Sequence, residues 1–229
     1  MRSLRIHILQ PSEKTPPGAI TEWAKSKNHD VKIVRLFTGE ALPKLEETDW
    51  LIILGGRMGV SDVADYPWIN DVKALLKDSI RAQKTGLGIC LGAQLYAEAL
   101  GGKVRRNDHW EVGWHPVQIG APNSSMNTLK VFQHHQDTFD LPPSAVRIAT
   151  NEIARNQGFA MGDRVVALQF HPEATPEWIQ HECNDPDYPT GPHVQSPTEI
   201  LSDTDSMAPM RKWFFTLLDR LEVVAARPV

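Results

Sequence analysis

The stretch Lys84-Thr-Gly-Leu-Gly-Ile-Cys-Leu-Gly-Ala-Gln94 constrains this chain more than any other. A short apolar run, Leu87 to Ile89, reaches a cysteine with Gly88 and Gly92 two residues to either side. The helix-forming run Ala93-Gln-Leu-Tyr-Ala-Glu-Ala-Leu100 follows at once. This order predicts a strand, a sharp turn and a helix, the context in which a G-x-S-x-G elbow lifts a nucleophile above a sheet edge. Glycines on both flanks let the backbone crowd itself in such a turn. A thiol at a helix N-terminus also faces unpaired amides and the positive end of the helix dipole, which favours thiolate. Cys90 is therefore the candidate nucleophile, and the rest of the chain has to supply a base and an oxyanion site.

Before and after this elbow, strands and helices alternate. Leu4 to Leu9, Val31 to Leu36 and Trp50 to Leu54 read as strands, the last apolar throughout, as in a parallel strand buried on both faces. Helices are expected over 19–27 and 68–83, the second opened by Pro67 and carrying Ile69, Val72, Leu75, Leu76 and Ile80 at helical spacing. From residue 103 the pattern changes to short runs between turn residues: Lys103 to Arg105, Trp114 to Ile119, Leu129 to Phe132, Val146 to Ala149 and Gly158 to Met161. That block reads as antiparallel β on the edge of the core. Val165 to Phe170 is a further strand, ended by His171-Pro-Glu173. Helices over 176–183, 197–202 and 207–223 follow, with a polar loop from Asn184 to Pro192 between the first two. The expected fold is α/β, a doubly wound and mostly parallel sheet flanked by helices with a small antiparallel β extension, its reactive loops at the strands' carboxyl ends. With no internal repeat and no long linker, one domain over 1–229 is expected.

Composition narrows the function classes. A net charge of −4 gives no basis for a nucleic-acid surface. Two cysteines, Cys90 and Cys183, are too few for a disulfide framework and fit a reducing compartment. The first residues are too polar for a signal peptide, and no apolar run approaches the roughly 20 residues of a membrane span. A cytoplasmic protein with no nucleic-acid and no membrane partner is the expectation.

Two further segments complete the candidate chemistry. His171 and Glu173 lie two residues apart at the end of a predicted strand, so their side chains leave one face, with Pro172 stiffening the link. A cysteine nucleophile needs a base to hold its proton, and the imidazole needs an acceptor to set its tautomer. Cys90, His171 and Glu173 meet both requirements if strand ends bring residues 90 and 171 together, and in a doubly wound sheet two strand carboxyl ends do lie at one edge. Gly55-Gly56, after the Trp50 to Leu54 strand, offers amides unobstructed by side chains, so that Gly56 and the amide of Leu91 make a candidate oxyanion hole. The alternative for Gly55-Gly56 is a tight turn, and for Cys90 taken alone a buried inert thiol. Gly55-Gly-Arg-Met-Gly59 lacks the dinucleotide spacing, and the chain has no G-x-x-x-x-G-K-[ST] loop. His134 and His135 are adjacent and point to opposite faces of a strand, and neither H-E-x-x-H nor paired C-x-x-C is present. No cofactor and no metal are expected.

Gly-Ile-Cys90-Leu-Gly-Ala-Gln94, Gln169-Phe-His171-Pro-Glu173 and Leu54-Gly-Gly56-Arg-Met-Gly-Val60 together resemble the signature segments of class I, triad-type glutamine amidotransferases. Glu111-Val-Gly-Trp114 and Phe132-Gln-His-His-Gln-Asp-Thr-Phe139 are similar to two more, and the nearest likeness is to stand-alone forms of the GMP synthase amidotransferase domain. The resemblance implies that Cys90 attacks the side-chain amide of glutamine to form a γ-glutamyl thioester and release ammonia. It further implies that His171 shuttles the proton, Glu173 orients His171, and the Gly56 and Leu91 amides hold the oxyanion. Gln94, with the loop at His134 to Gln136, would contact the substrate's α-substituents. The chain departs from the family pattern at Arg57, where many relatives carry proline, and at His134-His135-Gln136 in place of the commoner Ser/Trp-His-Gly. The implied partners are glutamine or another γ-glutamyl compound and a synthetase acting in trans, since no part of this chain would activate an ammonia acceptor. The alternatives are a γ-glutamyl peptidase on the same machinery and a subunit silent until its synthetase docks.

Overall fold

The computed structural model describes residues 2–120 and 125–227. The first half alternates as expected: β1 (Arg5–Gln10), α1 (Ala19–Ser26), β2 (Asp30–Arg35), β3 (Trp50–Ile53), α2 (Trp68–Arg81), β4 (Thr85–Ile89) and α3 (Leu91–Ala99). The second half holds β5 (Val104–Ile119), β6 (Asn127–Phe139), β7 (Val146–Thr150), β8 (Gly158–Met161) and β9 (Val165–Leu168), then α4 (Pro176–Cys183), α5 (Pro197–Ser202) and α6 (Met207–Ala225). Among the described residues the nine strands form one sheet in the order β2-β1-β3-β4-β9-β8-β7-β5-β6. Strands β2, β1, β3, β4 and β9 are mutually parallel, and from β9 outward every pairing is antiparallel.

The two faces of the parallel part explain its sequence. Alternate side chains of a strand point to opposite faces. Trp50 and Ile52 of β3, Leu87 and Ile89 of β4, and Val166 and Leu168 of β9 enter one core with Ile20 and Trp23 of α1 and Phe214 and Leu218 of α6. Leu51 and Ile53, with Val165 and Ala167, enter the other, against Val72 and Leu76 of α2 and the apolar residues of α3. Strands that bury both faces need continuous apolar runs, which is what these strands carry. The indole Nε1 of Trp23 donates to Asp219 at 2.9 Å, tying α1 to α6. Among the described residues no helix is long and apolar enough to cross a membrane.

The antiparallel block is present, but it is continuous with the core sheet through β8 on β9, and its hairpin is longer than the apolar runs indicated. The runs at Lys103 and at Trp114 belong mostly to one 16-residue strand, β5, whose pairing with β6 shifts register between Arg106 and Glu111. Polar residues 107–109 lie in this irregularity, where no apolar alternation marks a strand. Because β1, β3, β4 and β9 run the same way, the segments after Gln10, Ile53, Ile89 and Leu168 gather at one edge.

Candidate functional site

Cys90 sits between β4 and α3 with φ 51° and ψ −109°, a region that side chains other than glycine rarely occupy and that costs about 1–3 kcal/mol. Surrounding contacts hold it there. Its amide donates to Leu168 O on β9 at 2.8 Å, and its carbonyl accepts from Gln94 N at 3.1 Å. The flanking glycines answer to space. A Cβ on Gly92 would lie 2.1 Å from Ile53 O, and one on Gly88 2.6 Å from Gly92 O. Helix α3 therefore crosses β3 and β4 closely enough that no methyl group fits, and the thiol stands at the start of the helix.

His171 and Glu173 meet by another route than one strand face. Strand β9 stops at Leu168, and the two residues lie in a following turn closed by Ala174 N donating to His171 O at 3.3 Å. This turn is pinned from two sides: His171 N donates to Phe132 O at 2.8 Å, and Ala19 N, opening α1, donates to Glu173 O at 2.9 Å. Within it the imidazole Nδ1 lies 2.8 Å from Glu173 Oε1, both side chains being buried. Burial by itself pushes the imidazole pKa down. The charges of Glu173 and Cys90, with hydrogen bonds to both, outweigh this and hold His171 up at about 10. The imidazole is thus bound to a carboxylate and lies next to the elbow, since a Cβ on Gly55 would meet both His171 Cε1 and Cys90 Cβ. Gly55 makes room for it, since a Cβ there would sit 2.8 Å from His171 Cε1. Trp178 of α4 covers the ring at a centroid distance of 4.9 Å.

Gly56 and Leu91 adjoin, with a Cβ on Gly56 falling 2.9 Å from Leu91 Cδ2. Among the described residues neither amide donates to a backbone carbonyl.

Cys90 and His171 open into a cavity of about 470 Å³ whose walls include Gly56, Gln94, His134 and Gln136. Gln94 is fixed by its amide nitrogen donating to Gln169 Oε1 at 3.2 Å. His134 faces the cavity with Nδ1 3.1 Å from Glu182 Oε2, while His135, adjacent on β6, turns to Glu111 with its Nε2 3.2 Å from Oε2. The opposite facing of the two histidines is as expected. Every candidate residue of the sequence thus lies at this one place. Among the described residues no cluster of three or more His, Cys, Asp or Glu is arranged to hold a metal ion.

Sequence reasoning missed three features here. Trp178 and Glu182 come from α4, which reads as an ordinary short helix. The polar segment after it forms one side of the cavity through Asp185, Asp187, Tyr188 and Pro189. Arg57 Nη2 bonds Asp185 and lies 3.3 Å from Glu182 Oε2, fastening this segment to the Gly55-Gly56 turn. The Asp187 amide and then Arg57 hold the Asp185 carboxyl down at about 2. The third is a buried polar network under the hairpin: Glu111 accepts from Gln157 Nε2 at 2.7 Å and from Asn151, and Gln133 Nε2 donates to Gln157 Oε1 at 2.9 Å. Burial would raise the Glu111 carboxyl, but His135 and Asn151 keep it below its ordinary value. The one available signal for these features was compositional, an arginine at 57 where the resemblance leads one to expect proline and a run of acids from Glu182 to Asp187.

Comparison with known proteins bears on the whole of this architecture. The chain is 30% identical over 152 residues to a glutamine-hydrolyzing GMP synthase subunit of Sulfolobus acidocaldarius, covering 62% of this chain and 77% of that one. It is 28% identical over 145 residues to gamma-glutamyl peptidase 3 of Arabidopsis thaliana, covering 58% and 57% respectively. A crystal structure of a glutamine amido transferase from Methylobacillus flagellatus superposes with a TM-score of 0.91 at 26% identity, covering 100% of this chain and 98% of that one. The model of the family described as glutamine amidotransferase class-I matches residues 18–183, which contain the elbow, the His171-Pro-Glu173 turn and the hairpin. This chain belongs to the class-I glutamine amidotransferase family.

Proposed function

We propose that the chain, folded as a single domain, hydrolyses γ-glutamyl amides with Cys90 as nucleophile, His171 as proton carrier and Glu173 as the group that orients it. The observation that carries this is the buried imidazole bound to Glu173 and opening, with the strained Cys90 elbow and Gly56, into one cavity. Cys90 Sγ attacks the γ-carbonyl carbon, and the developing oxyanion is received by the amides of Gly56 and Leu91. His171 gives its proton to the departing nitrogen, the C–N bond breaks, and a γ-glutamyl thioester remains. Water then attacks the thioester, His171 takes the water's proton, and glutamate leaves as Cys90 is restored. Gln94, His134 and Gln136 line the place where the glutamyl α-substituents sit. The experiment is glutamate release from glutamine by the wild type and by Cys90→Ala. Equal rates in the two proteins would sink the proposal.

Two observations bear on where the nitrogen goes. Similarity to a GMP synthase component supports ammonia delivery to a synthetase in trans. A cavity of about 470 Å³ walled by the segment at Asp185 to Pro189 supports hydrolysis of a larger γ-glutamyl amide, because it falls within the roughly 300–1,000 Å³ of sites that enclose drug-sized molecules. Competition between glutamine and γ-glutamyl peptides for acylation of Cys90 separates them: preference for the peptides favours the second.

A further inference from the structure

An amide serves an oxyanion only while its peptide unit is held in one direction. The unit between Gly55 and Gly56 has a glycine on either side, so its own backbone preferences set that direction loosely. It lies against the reacting groups, since a Cβ on Gly55 would come 2.8 Å from His171 Cε1 and 3.4 Å from Cys90 Cβ. Thr15, in the loop between β1 and α1, supplies the restraint. Its hydroxyl donates to Gly55 O at 2.8 Å, a buried contact between residues 40 positions apart. Ser12 O is also within reach at 3.2 Å, but a hydroxyl has a single proton to give and the Gly55 carbonyl is the nearer acceptor. Among the described residues no backbone amide donates to Gly55 O. Thr15 is itself firmly placed: it is buried, its amide donates to Ser12 O at 3.2 Å, and the neighbouring Lys14 O accepts from Trp178 Nε1 at 2.6 Å. It also lines the cavity into which Cys90, His171 and Gly56 open. A trans peptide is planar with its C=O and N–H on opposite sides, so a bond that fixes the Gly55 carbonyl fixes the Gly56 N–H as well. A donor on the carbonyl further polarises that N–H.

We propose that Thr15 is a positioning residue of the oxyanion site, its hydroxyl holding the Gly55–Gly56 peptide so that the Gly56 amide meets the oxygen of the attacked γ-carbonyl. This rests on the reading of Cys90 as the nucleophile of a γ-glutamyl amide hydrolase, and adds to it a residue outside the signature segments. The oxyanion exists only once Cys90 Sγ has bonded to the γ-carbonyl carbon. The hydroxyl therefore acts on the rate of acylation and leaves the binding of the amide substrate unchanged. It also leaves untouched any reaction of the thiol that forms no oxyanion.

The test uses the full chain with Thr15→Val, which exchanges the hydroxyl for a methyl group, and Thr15→Ser, which keeps it. Three quantities are read: acylation of Cys90 by glutamine, as rapid-quench ammonia release; alkylation of Cys90 by iodoacetamide, a displacement that forms no oxyanion; and the Kd of glutamine in the Cys90→Ala background. Thr15→Val is expected to slow acylation by about tenfold, while alkylation and Kd stay within about twofold of their parents and Thr15→Ser restores acylation to within about threefold. A merely structural role for Thr15 would move alkylation and Kd along with acylation. Should Thr15→Val not fold, Thr15→Ala removes the same hydroxyl and is judged by the same readings. Acylation unchanged by loss of the hydroxyl overturns the proposal. So does an equal fall in alkylation, a matching rise in Kd, or a Thr15→Ser protein as slow as Thr15→Val. Any of these results beside glutamate release that depends on Cys90 removes only the role of Thr15 and leaves the hydrolase reading standing. Glutamate release that persists at the wild-type rate in Cys90→Ala removes both.

Discussion

The parallel and antiparallel halves of the one sheet divide the work of the site. In the parallel half β3, β4 and β9 are buried on both faces, and the atoms at their carboxyl ends have almost no freedom: Cys90 is pinned by Leu168 and the close approach of α3, and His171 by Phe132. In the antiparallel half β5 alternates buried and exposed stretches, and beside apolar residues such as Val112, Trp114 and Val117 it buries a polar network around Glu111. Short apolar strands hold reacting groups rigidly because a shift in register would expose an entire face. A long hairpin with hydrogen-bonded side chains beneath it can carry polar walls such as His134 and Gln136. On the proposed function, the difference assigns the chemistry to the half whose strand ends are most tightly held, and the fit to the substrate to the hairpin and the α4 segment.

That division can be tested directly. The largest effect is expected from Glu173→Gln, which keeps the shape of the turn but removes the charge that orients His171 and favours its protonated form. Its kcat should fall by about 10²–10⁴-fold with little change in KM, read by rapid-quench measurement of acyl-enzyme formation. A change confined to KM would contradict the assignment of chemistry to the parallel half. The same pair makes stability depend on pH. His171 is raised from 6.5 to about 10 in the folded chain, so its contribution is complete below about pH 6.5 and is lost as pH rises towards 10. Thermal melts should therefore move down between pH 7 and 10, and His171→Gln should flatten that slope.

Next in size is Glu111→Ala, which leaves His135, Asn151 and Gln157 without their common acceptor in a buried site. A loss of about 3 kcal/mol is expected by denaturant titration, the cost of leaving the buried amide donors of Asn151 and Gln157 without their acceptor. If kcat per folded molecule also collapsed, the hairpin would be part of the chemistry and the comparison would have to be redrawn. Gly92→Ala probes the opposite half. Its Cβ would meet Ile53 O at 2.1 Å, so about 1–3 kcal/mol of destabilisation should come with a displaced thiol and slower labelling of Cys90 by an alkylating reagent. The smallest effect is expected from Arg57→Ala. The side chain is half-exposed, and freeing the Asp185 segment should raise KM for γ-glutamyl amides by roughly two- to fivefold while kcat stays level. Steady-state kinetics across substrates of increasing length would show whether that wall is felt only by the longer ones.

Much of this is legible in the chain. The apolar runs at Trp50, Leu87 and Val165 give the parallel strands because only a strand buried on both faces is apolar at every position. The glycine spacing around Cys90 reports a helix pressed on a sheet, and it names the elbow without a structure. Strand β5 is harder: residues 107–109 are polar and sit at a register shift, so the two ends read as separate pieces. His171 and Glu173 do pair, but for a reason that differs from the expected one, since proximity in sequence is satisfied equally by a strand face and by a turn. Trp178, Glu182 and the Arg57 tie to Asp185 have no local pattern to reveal them, being contacts between residues more than a hundred positions apart or packed by the orientation of α4.

By itself, then, the sequence determined the order of elements, the strained cysteine and the adjacent His-Pro-Glu, because each follows from local rules of backbone space and side-chain alternation. Only the tertiary structure decided how His171 reaches Glu173, how Arg57 ties the segment at Asp185 to the Gly55-Gly56 turn, and what charges wall the cavity. Those are long-range contacts, set by how the sheet closes β9 against β4 and how α4 lies across its end. Local propensity carries no information about them.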